Sequence, residues 1–179
     1  MNSKTRWLLS LPVRRPVVSN NNQEWLPPPP NCLKLNSGFA AHRNSKSFAF
    51  GAAIRDNKGK VIVARSKVLY GAFNVTTRCL LALREALLLA KVYNIQVKIA
   101  EVDSIKVAAI LNSPMKFLGD ISFIVKDIKI LFAEVGIDRC LVSSESRNSL
   151  AFNLASLALS SSKEYLWLDN SPCFSPCMM

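Results

Sequence analysis

Apolar residues in the first third of the chain form short runs typical of strands. Three such runs lie at 32–40, 47–54 and 61–68. The second and third are joined by 55–60, where Asp, Asn and Gly are turn formers. This pattern predicts a first strand followed by a β-hairpin.

From Thr76 the spacing changes to that of a helix, which Thr76 or Thr77 can cap and which is apolar on most sides. Strands and helices then alternate: a strand at 97–102, helices at 105–111 and 121–135, a strand at 138–144 and a helix at 148–160. This order predicts an α/β fold. We expect a mixed five-stranded sheet, with three antiparallel strands followed by alternating strands and helices, and helices on its faces.

The two ends of the chain differ from its centre. Residues 1–24 contain four basic residues and only one acid, at the last position, which predicts a disordered basic leader. An organelle transit peptide is the alternative, but the amphipathic periodicity of one is weak here. Trp25 and the four prolines at 27–30 predict a stiff start to a single domain spanning 25–165. We expect 166–179 to be an irregular tail.

Composition limits the class of protein. With 179 residues, half of them hydrophobic, the chain is long enough for one domain with a core. No apolar run reaches the about 18 uncharged residues of a membrane span, so we expect a soluble protein without a membrane partner. Five dispersed cysteines and one histidine argue against a zinc site or a disulfide framework. We therefore expect an intracellular, reducing location, the nucleus or cytoplasm rather than an organelle.

The net charge of +11 is unevenly distributed. Residues 34–98 carry twelve lysines and arginines against two acids, whereas 99–168 carry seven against eight. Such asymmetry favours a basic face for a nucleic acid, although a generally solvated basic surface is the alternative. The candidate phosphate contacts around the hairpin are Lys58, Lys60, Arg65 and Lys67. No small-molecule substrate is evident from the sequence.

Asp103 is the first candidate for chemistry, because it ends an apolar strand and precedes a helix. Glu101 lies two residues earlier and would point to the same side of an extended strand, so the two could form a weak metal site. A structural role is the alternative, since Asp103 and Ser104 are both good helix caps.

Six blocks of residues occur in a fixed order along the chain. The blocks are Trp25-Leu26-Pro27-Pro28-Pro29, Lys34-Leu35-Asn36, Gly51-Ala52-Ala53-Ile54-Arg55-Asp56-Asn57-Lys58-Gly59, Ala82-Leu83-Arg84-Glu85-Ala86-Leu87, Glu101-Val102-Asp103-Ser104 and Asn148-Ser149-Leu150-Ala151-Phe152-Asn153-Leu154-Ala155. Together they resemble the plant ribonuclease H-like domains that are often found in reverse-transcriptase-derived, retrotransposon-derived proteins. The resemblance covers residues 25–165.

The resemblance implies a ribonuclease H-like fold and an ancestral activity, cleavage of the RNA strand of an RNA–DNA hybrid by two Mg²⁺ ions that four carboxylates hold. Three of the four carboxylate positions are replaced here, by Gly38, Cys79 and Phe152, and Asp103 alone is retained. We therefore expect no tightly bound cofactor, with at most a weak metal site at Asp103 and Glu101. Cys79 could be a reactive thiol near a helix start, but a packed thiol is the favoured interpretation.

These substitutions predict a catalytically inactive member of a ribonuclease family. The first hypothesis is a nucleic-acid-binding module whose partner is an RNA–DNA hybrid or RNA. The alternative is a degenerate retroelement-derived fragment that acts, if at all, through protein contacts.

Overall fold

A mixed sheet with helices on both faces forms the domain. The computed structural model describes residues 25–43, 45–114 and 119–169, so the predicted leader and most of the predicted tail lie outside the described residues. The strands are β1 (Lys34–Ala40), β2 (Ser47–Arg55), β3 (Val61–Tyr70), β4 (Ile99–Val102), β5 (Arg139–Val142) and β6 (Tyr165–Leu168). The helices are α1 (Val75–Val92), α2 (Ile105–Asn112), α3 (Ser122–Val135) and α4 (Ser149–Ser161).

The strand order is β5-β4-β1-β2-β3-β6. β1, β2 and β3 pair antiparallel, while β4 pairs parallel to β1 and β5 parallel to β4. This topology confirms the predicted α/β fold. None of the helices in the described part of the chain is long and apolar enough to cross a bilayer.

The sheet has one strand more than the sequence predicts. β6 pairs antiparallel with β3, so residues 166–168 belong to the sheet and not to an irregular tail. Tyr165 and Trp167 are half-buried and their rings stack 5.5 Å apart, whereas Leu166 and Leu168 are exposed. The alternation that marks this strand lasts only four residues, which is too short to stand out in the sequence.

Two helix starts are set by side-chain caps. The Asn74 side chain accepts a hydrogen bond from the Thr77 backbone N–H at 2.9 Å, so α1 begins at Val75 and the prediction of a threonine cap was wrong. Asn ranks above Thr as an N-cap residue, and here its side-chain oxygen accepts from an open N–H group of the first turn. Ser104 caps α2 through the Val107 N–H, which leaves Asp103 outside the helix.

The two faces of the sheet carry side chains of different size. On one face large residues such as Leu35, Phe50 and Ile54 form the main core with α1, α2 and α3. Helix α4 lies against the other face, which carries mainly alanines and glycines where the helix contacts it. A Cβ at Gly51 would overlap the carbonyl oxygen of Ala151 and lie 2.6 Å from the Ala155 nitrogen. Small residues thus allow the backbone of α4 to approach β2 closely.

We expect Gly51→Ala to destabilise the fold by about 2 kcal/mol or more, because the added methyl group meets backbone that cannot rotate away. Gly38→Ala is the matched control, since Gly38 pairs with Gly51 across β1 and β2 and its Cβ would meet a side-chain atom at 3.3 Å. Urea denaturation of both variants measures the difference. An equal loss of stability in the two variants would contradict the close approach of α4 to β2 at Gly51.

Candidate functional site

A buried polar network lies on the α4 side of the sheet. The Lys34 ammonium group donates to Glu101 Oε1 at 2.7 Å, and Asn36 Nδ2 donates to Glu101 Oε2 at 2.7 Å. The register sets these contacts, because Asn36 stands beside Glu101 and Lys34 stands beside Arg55. All four side chains are less than 10% exposed. Both oxygens of the Glu101 carboxylate are therefore engaged inside the protein.

The guanidinium group of Arg55 extends this network toward the segment before β1. Arg55 donates to Asn36 Oδ1 at 2.7 Å and lies 3.6 Å from the centre of the Trp25 ring. Burial lowers the pKa of Arg55 to about 10, while Glu101 acts in the opposite direction. Arg55 consequently remains charged at neutral pH, and its contact with the indole is a cation–π interaction.

Two further hydrogen bonds fix elements outside the sheet. Lys34 donates to the carbonyl oxygen of Leu26 at 2.7 Å, which holds the chain before β1. Asn148, just before α4, donates to the Ser37 carbonyl oxygen at 2.9 Å and accepts from Asn36 at 3.2 Å. The network thus connects the first described segment, three strands and the start of α4.

Two of the four positions that the resemblance assigns to carboxylates lie two residues beyond this network, and the other two lie on helices α1 and α4. Gly38 follows Asn36 on β1, and Asp103 follows Glu101 at the end of β4. A Cβ at Gly38 would lie 3.6 Å from the Phe152 backbone nitrogen, and Cys79 Sγ donates to Asp103 Oδ1 over 3.7 Å. The fold therefore brings these positions to one end of the sheet as two contacting pairs.

The pKa values of Cys79 and Asp103 are both raised, which favours the neutral form of each group. Burial, together with the neighbouring Asp103, raises the pKa of the Cys79 thiol far above its ordinary value. Desolvation is also the main cause that raises the pKa of Asp103, with Glu145 adding to it and hydrogen bonds from its own backbone and Cys79 opposing it. A protonated thiol is a weak nucleophile and a poor metal ligand, so the geometry suits a packed Cys79 better than a reactive one.

The donor set does not fit a two-metal centre. Mg²⁺ needs oxygen ligands in a nearly octahedral shell, and Gly38 and Phe152 supply no side-chain oxygen. A metal ion at Glu101 would have to compete with Lys34 for the carboxylate. Within residues 25–43, 45–114 and 119–169 no group of three or more His, Cys, Asp or Glu side chains is placed to hold an ion. The weak site at Asp103 and Glu101 stays a prediction.

The four basic residues predicted to contact phosphates do not form one cluster. Lys58 and Lys60 are exposed in the turn between β2 and β3, at the end of the sheet away from Asp103. Arg65 and Lys67 lie along β3 and pair with Glu164, with Arg65 Nε 2.8 Å and Lys67 Nζ 3.5 Å from its carboxylate. These two charges are therefore partly compensated.

Sequence reasoning missed the network itself. The sequence predicts no contact among Trp25, Lys34, Asn36 and Arg55, which appear only in the stiff start and in the resemblance blocks. Lys34 and Asn36 are nevertheless polar residues two apart in an otherwise apolar strand. That spacing places both on one face, which was the available signal for a buried polar contact.

The fold and this arrangement define a ribonuclease H-like domain, and comparison with known proteins gives the same class. The reverse transcriptase-like family profile matches residues 36–158, and the chain belongs to that family. None of the curated proteins compared with the chain matches it.

Solved structures of ribonucleases H share the fold. RNase H1 from Halobacterium salinarum superposes with a TM-score of 0.64 at 18% identity, covering 72% of this chain and 98% of that one. The RNase H domain from Mycobacterium tuberculosis superposes with a TM-score of 0.63 at 16% identity, covering 72% of this chain and 94% of that one. LC11-RNase H1, solved in complex with an RNA/DNA hybrid, superposes with a TM-score of 0.64 at 17% identity, covering 73% of this chain and 98% of that one. At these identities the likeness establishes the fold alone.

We expect Lys34→Met to destabilise the protein by about 3–5 kcal/mol, because it leaves the buried Glu101 carboxylate without its cation. Lys98→Met is the matched control, since Lys98 makes an exposed ion pair with Asp138 at 3.8 Å and should change stability by less than about 1 kcal/mol. Chemical denaturation measures both. A loss for Lys34→Met no larger than that of the control would contradict a stabilising network.

We expect Asp103→Asn to be slightly more stable than the wild type at pH 7, and the gain should be small because Asp103 is exposed and water screens its charge. A carboxyl group with a raised pKa binds its proton more tightly when folded, so its ionised form costs stability above the ordinary value of 3.8. The gain should vanish as the pH falls below 3.8, where the wild-type group is protonated in both states. Asp138→Asn controls for the loss of an exposed carboxylate. A loss of stability at pH 7, or a gain independent of pH, would overturn this expectation.

Proposed function

We propose that this chain is a nucleic-acid-binding domain of the ribonuclease H-like fold that does not cleave its ligand. The proposal is based mainly on which residues occupy the four positions that the resemblance assigns to carboxylates, since only Asp103 among them is an acid. Asp103 accepts a hydrogen bond from the Cys79 thiol, and Gly38 lies against the backbone of Phe152. Binding in this proposal needs no metal ion.

The absence of hydrolysis follows from the chemistry of phosphoryl transfer. Two metal ions must be held close together, one to activate water and one to stabilise the leaving oxygen. Asp103 alone cannot neutralise two divalent cations, and the nearest acid along the same strand, Glu101, is bonded to Lys34 and Asn36. Each substitution therefore removes a ligand that the reaction requires.

Support for nucleic-acid binding comes from charge and from the neighbours. The chain carries a net charge of +11, and Lys58 and Lys60 are exposed on a turn where phosphates can reach them. LC11-RNase H1 was solved with an RNA/DNA hybrid, which makes a hybrid the first ligand to test.

The alternative is a retroelement-derived fragment that acts through protein contacts. The observation in its favour is β6, an edge strand whose outer side chains Leu166 and Leu168 are both exposed. Exposed leucines on an open strand edge suit a protein partner better than a phosphate backbone.

We expect the purified protein to bind an RNA–DNA hybrid with salt-dependent affinity and to leave it uncut in Mg²⁺ or Mn²⁺. Replacing Lys58 and Lys60 together by Gln should reduce the slope of log K against log salt by about 2, since each phosphate contact contributes about 0.9. The control exchanges two exposed lysines elsewhere, Lys126 and Lys163, for Gln and has the same net charge. Titration by fluorescence anisotropy measures the slope, and a labelled RNA strand reports cleavage.

Two results would overturn the proposal. Cleavage of the hybrid that is lost in Asp103→Asn would show an active centre. No binding at low salt to the hybrid or to a single strand, or a slope near zero for the nucleic acid that binds, would favour the protein-contact alternative.

A further inference from the structure

Exposed aromatic side chains mark the connection between β3 and α1. Tyr70, the last residue of β3, is 79% exposed, and Phe73 in the connection is 37% exposed. We call this place, with Lys46 and Arg78 beside it, the aromatic corner. It lies at the same end of the sheet as Asp103, because Arg78 precedes Cys79 on α1. Two exposed rings close together beside basic side chains are a candidate binding surface.

The corner is held in place by the residues beneath it. The Phe73 ring covers Gly71, whose φ of 147° favours glycine, and meets the Phe48 ring edge-on at 6.2 Å. Phe48 meets Phe39 in the same way at 6.2 Å. The backbone N–H of Gly71 donates to the Lys46 carbonyl oxygen at 2.6 Å. The Phe73 ring and the turn that carries it are thus held in place, which lowers the entropic cost of binding.

Positive charge surrounds these rings. Lys46 is exposed next to Gly71, and the guanidinium group of Arg78 donates to the Ser45 carbonyl oxygen at 3.0 Å. The sequence contains no acidic residue in 34–55 or in 57–84, the segments that build this corner. A partner of negative charge fits this surface better than a neutral apolar one.

We propose that the aromatic corner binds single-stranded nucleic acid, with Tyr70 and Phe73 stacked on unpaired bases and Lys46 and Arg78 beside the phosphates. Aromatic rings next to cations are the means by which proteins hold unpaired strands, because every base has a face for stacking. In a duplex those faces are covered by neighbouring base pairs, so the rings select a strand with free bases. This inference rests on the proposed function and narrows its ligand.

The test compares a short single-stranded oligonucleotide with an abasic strand of the same length, which keeps the phosphates and lacks the bases. We expect the full chain to bind the strand with bases at least about tenfold more tightly. Tyr70→Ala should remove most of this preference, whereas Tyr70→Phe should keep it. Phe73→Ala should also weaken binding, but it removes a contact with Phe48, so its denaturation midpoint must be measured alongside.

Tyr93→Ala is the matched control. Tyr93 is 38% exposed, close to the value for Phe73, and follows the other end of α1. That end lies about 27 Å from the corner, given a rise of 1.5 Å for each residue of the helix. Tyr93→Ala should therefore leave the preference for bases unchanged.

The possible outcomes separate the two proposals. Equal affinity for the abasic and base-containing strands, with hybrid binding intact, would overturn the aromatic corner and leave the proposed function standing. An equal loss of the preference for bases in Tyr70→Ala and Tyr93→Ala would also overturn the aromatic corner. If the chain binds none of the three nucleic acids, both proposals fail, and a protein partner becomes the better occupant of the corner.

Discussion

The buried carboxylate of Glu101 is the constraint on which the rest of the domain depends. An ionised group less than 10% exposed is tolerated only when cations and hydrogen-bond donors replace its water, and Lys34 and Asn36 do so here. Because these partners lie on another strand, satisfying the charge fixes the register of β1 against β4. The Asn36 side chain also accepts a hydrogen bond from Arg55 and donates one to Asn148. These two contacts tie β2 and the start of α4 to the same network. One charge thus holds several elements in a single arrangement.

The buried polar network and the four positions that the resemblance assigns to carboxylates are neighbours with different electrostatics. Lys34, Asn36 and Glu101 keep their polar contacts, whereas two residues farther along the strands Gly38 stands where the resemblance places a carboxylate. Carboxylates gathered without metal ions repel one another, so replacing them by small or apolar groups relieves the folded state. The network gains no such relief from substitution, because its charges are already paired. The stability of the fold therefore favours the paired charges of the network over a cluster of carboxylates without metal ions.

Strong local patterns made much of the fold predictable. The hairpin of β2 and β3 follows from alternating apolar runs and a turn rich in Asp, Asn and Gly, and α1 from its leucine spacing. The start of α1 was missed because Asn74 and the threonines after it compete for the same role. β6 was missed because four residues carry too little pattern. Long-range partners, such as Asn148 for Ser37, depend on the assembled topology and leave no trace in local sequence. For the site, the resemblance supplied the positions, but the pairing of Cys79 with Asp103 required the structure.

The indole of Trp25 marks one end of the sheet. It rests on Arg55 and lies beside the β2–β3 turn, where a Cβ on Gly59 would be 3.7 Å from the ring. This is the end where β1 starts, and the seven residues of that strand separate it from Asp103 by about 20 Å. Trp25 therefore lies at the end of the sheet opposite the aromatic rings of Tyr70 and Phe73. A fluorescent label attached beside Trp25 would leave the opposite end of the sheet open to a nucleic-acid strand.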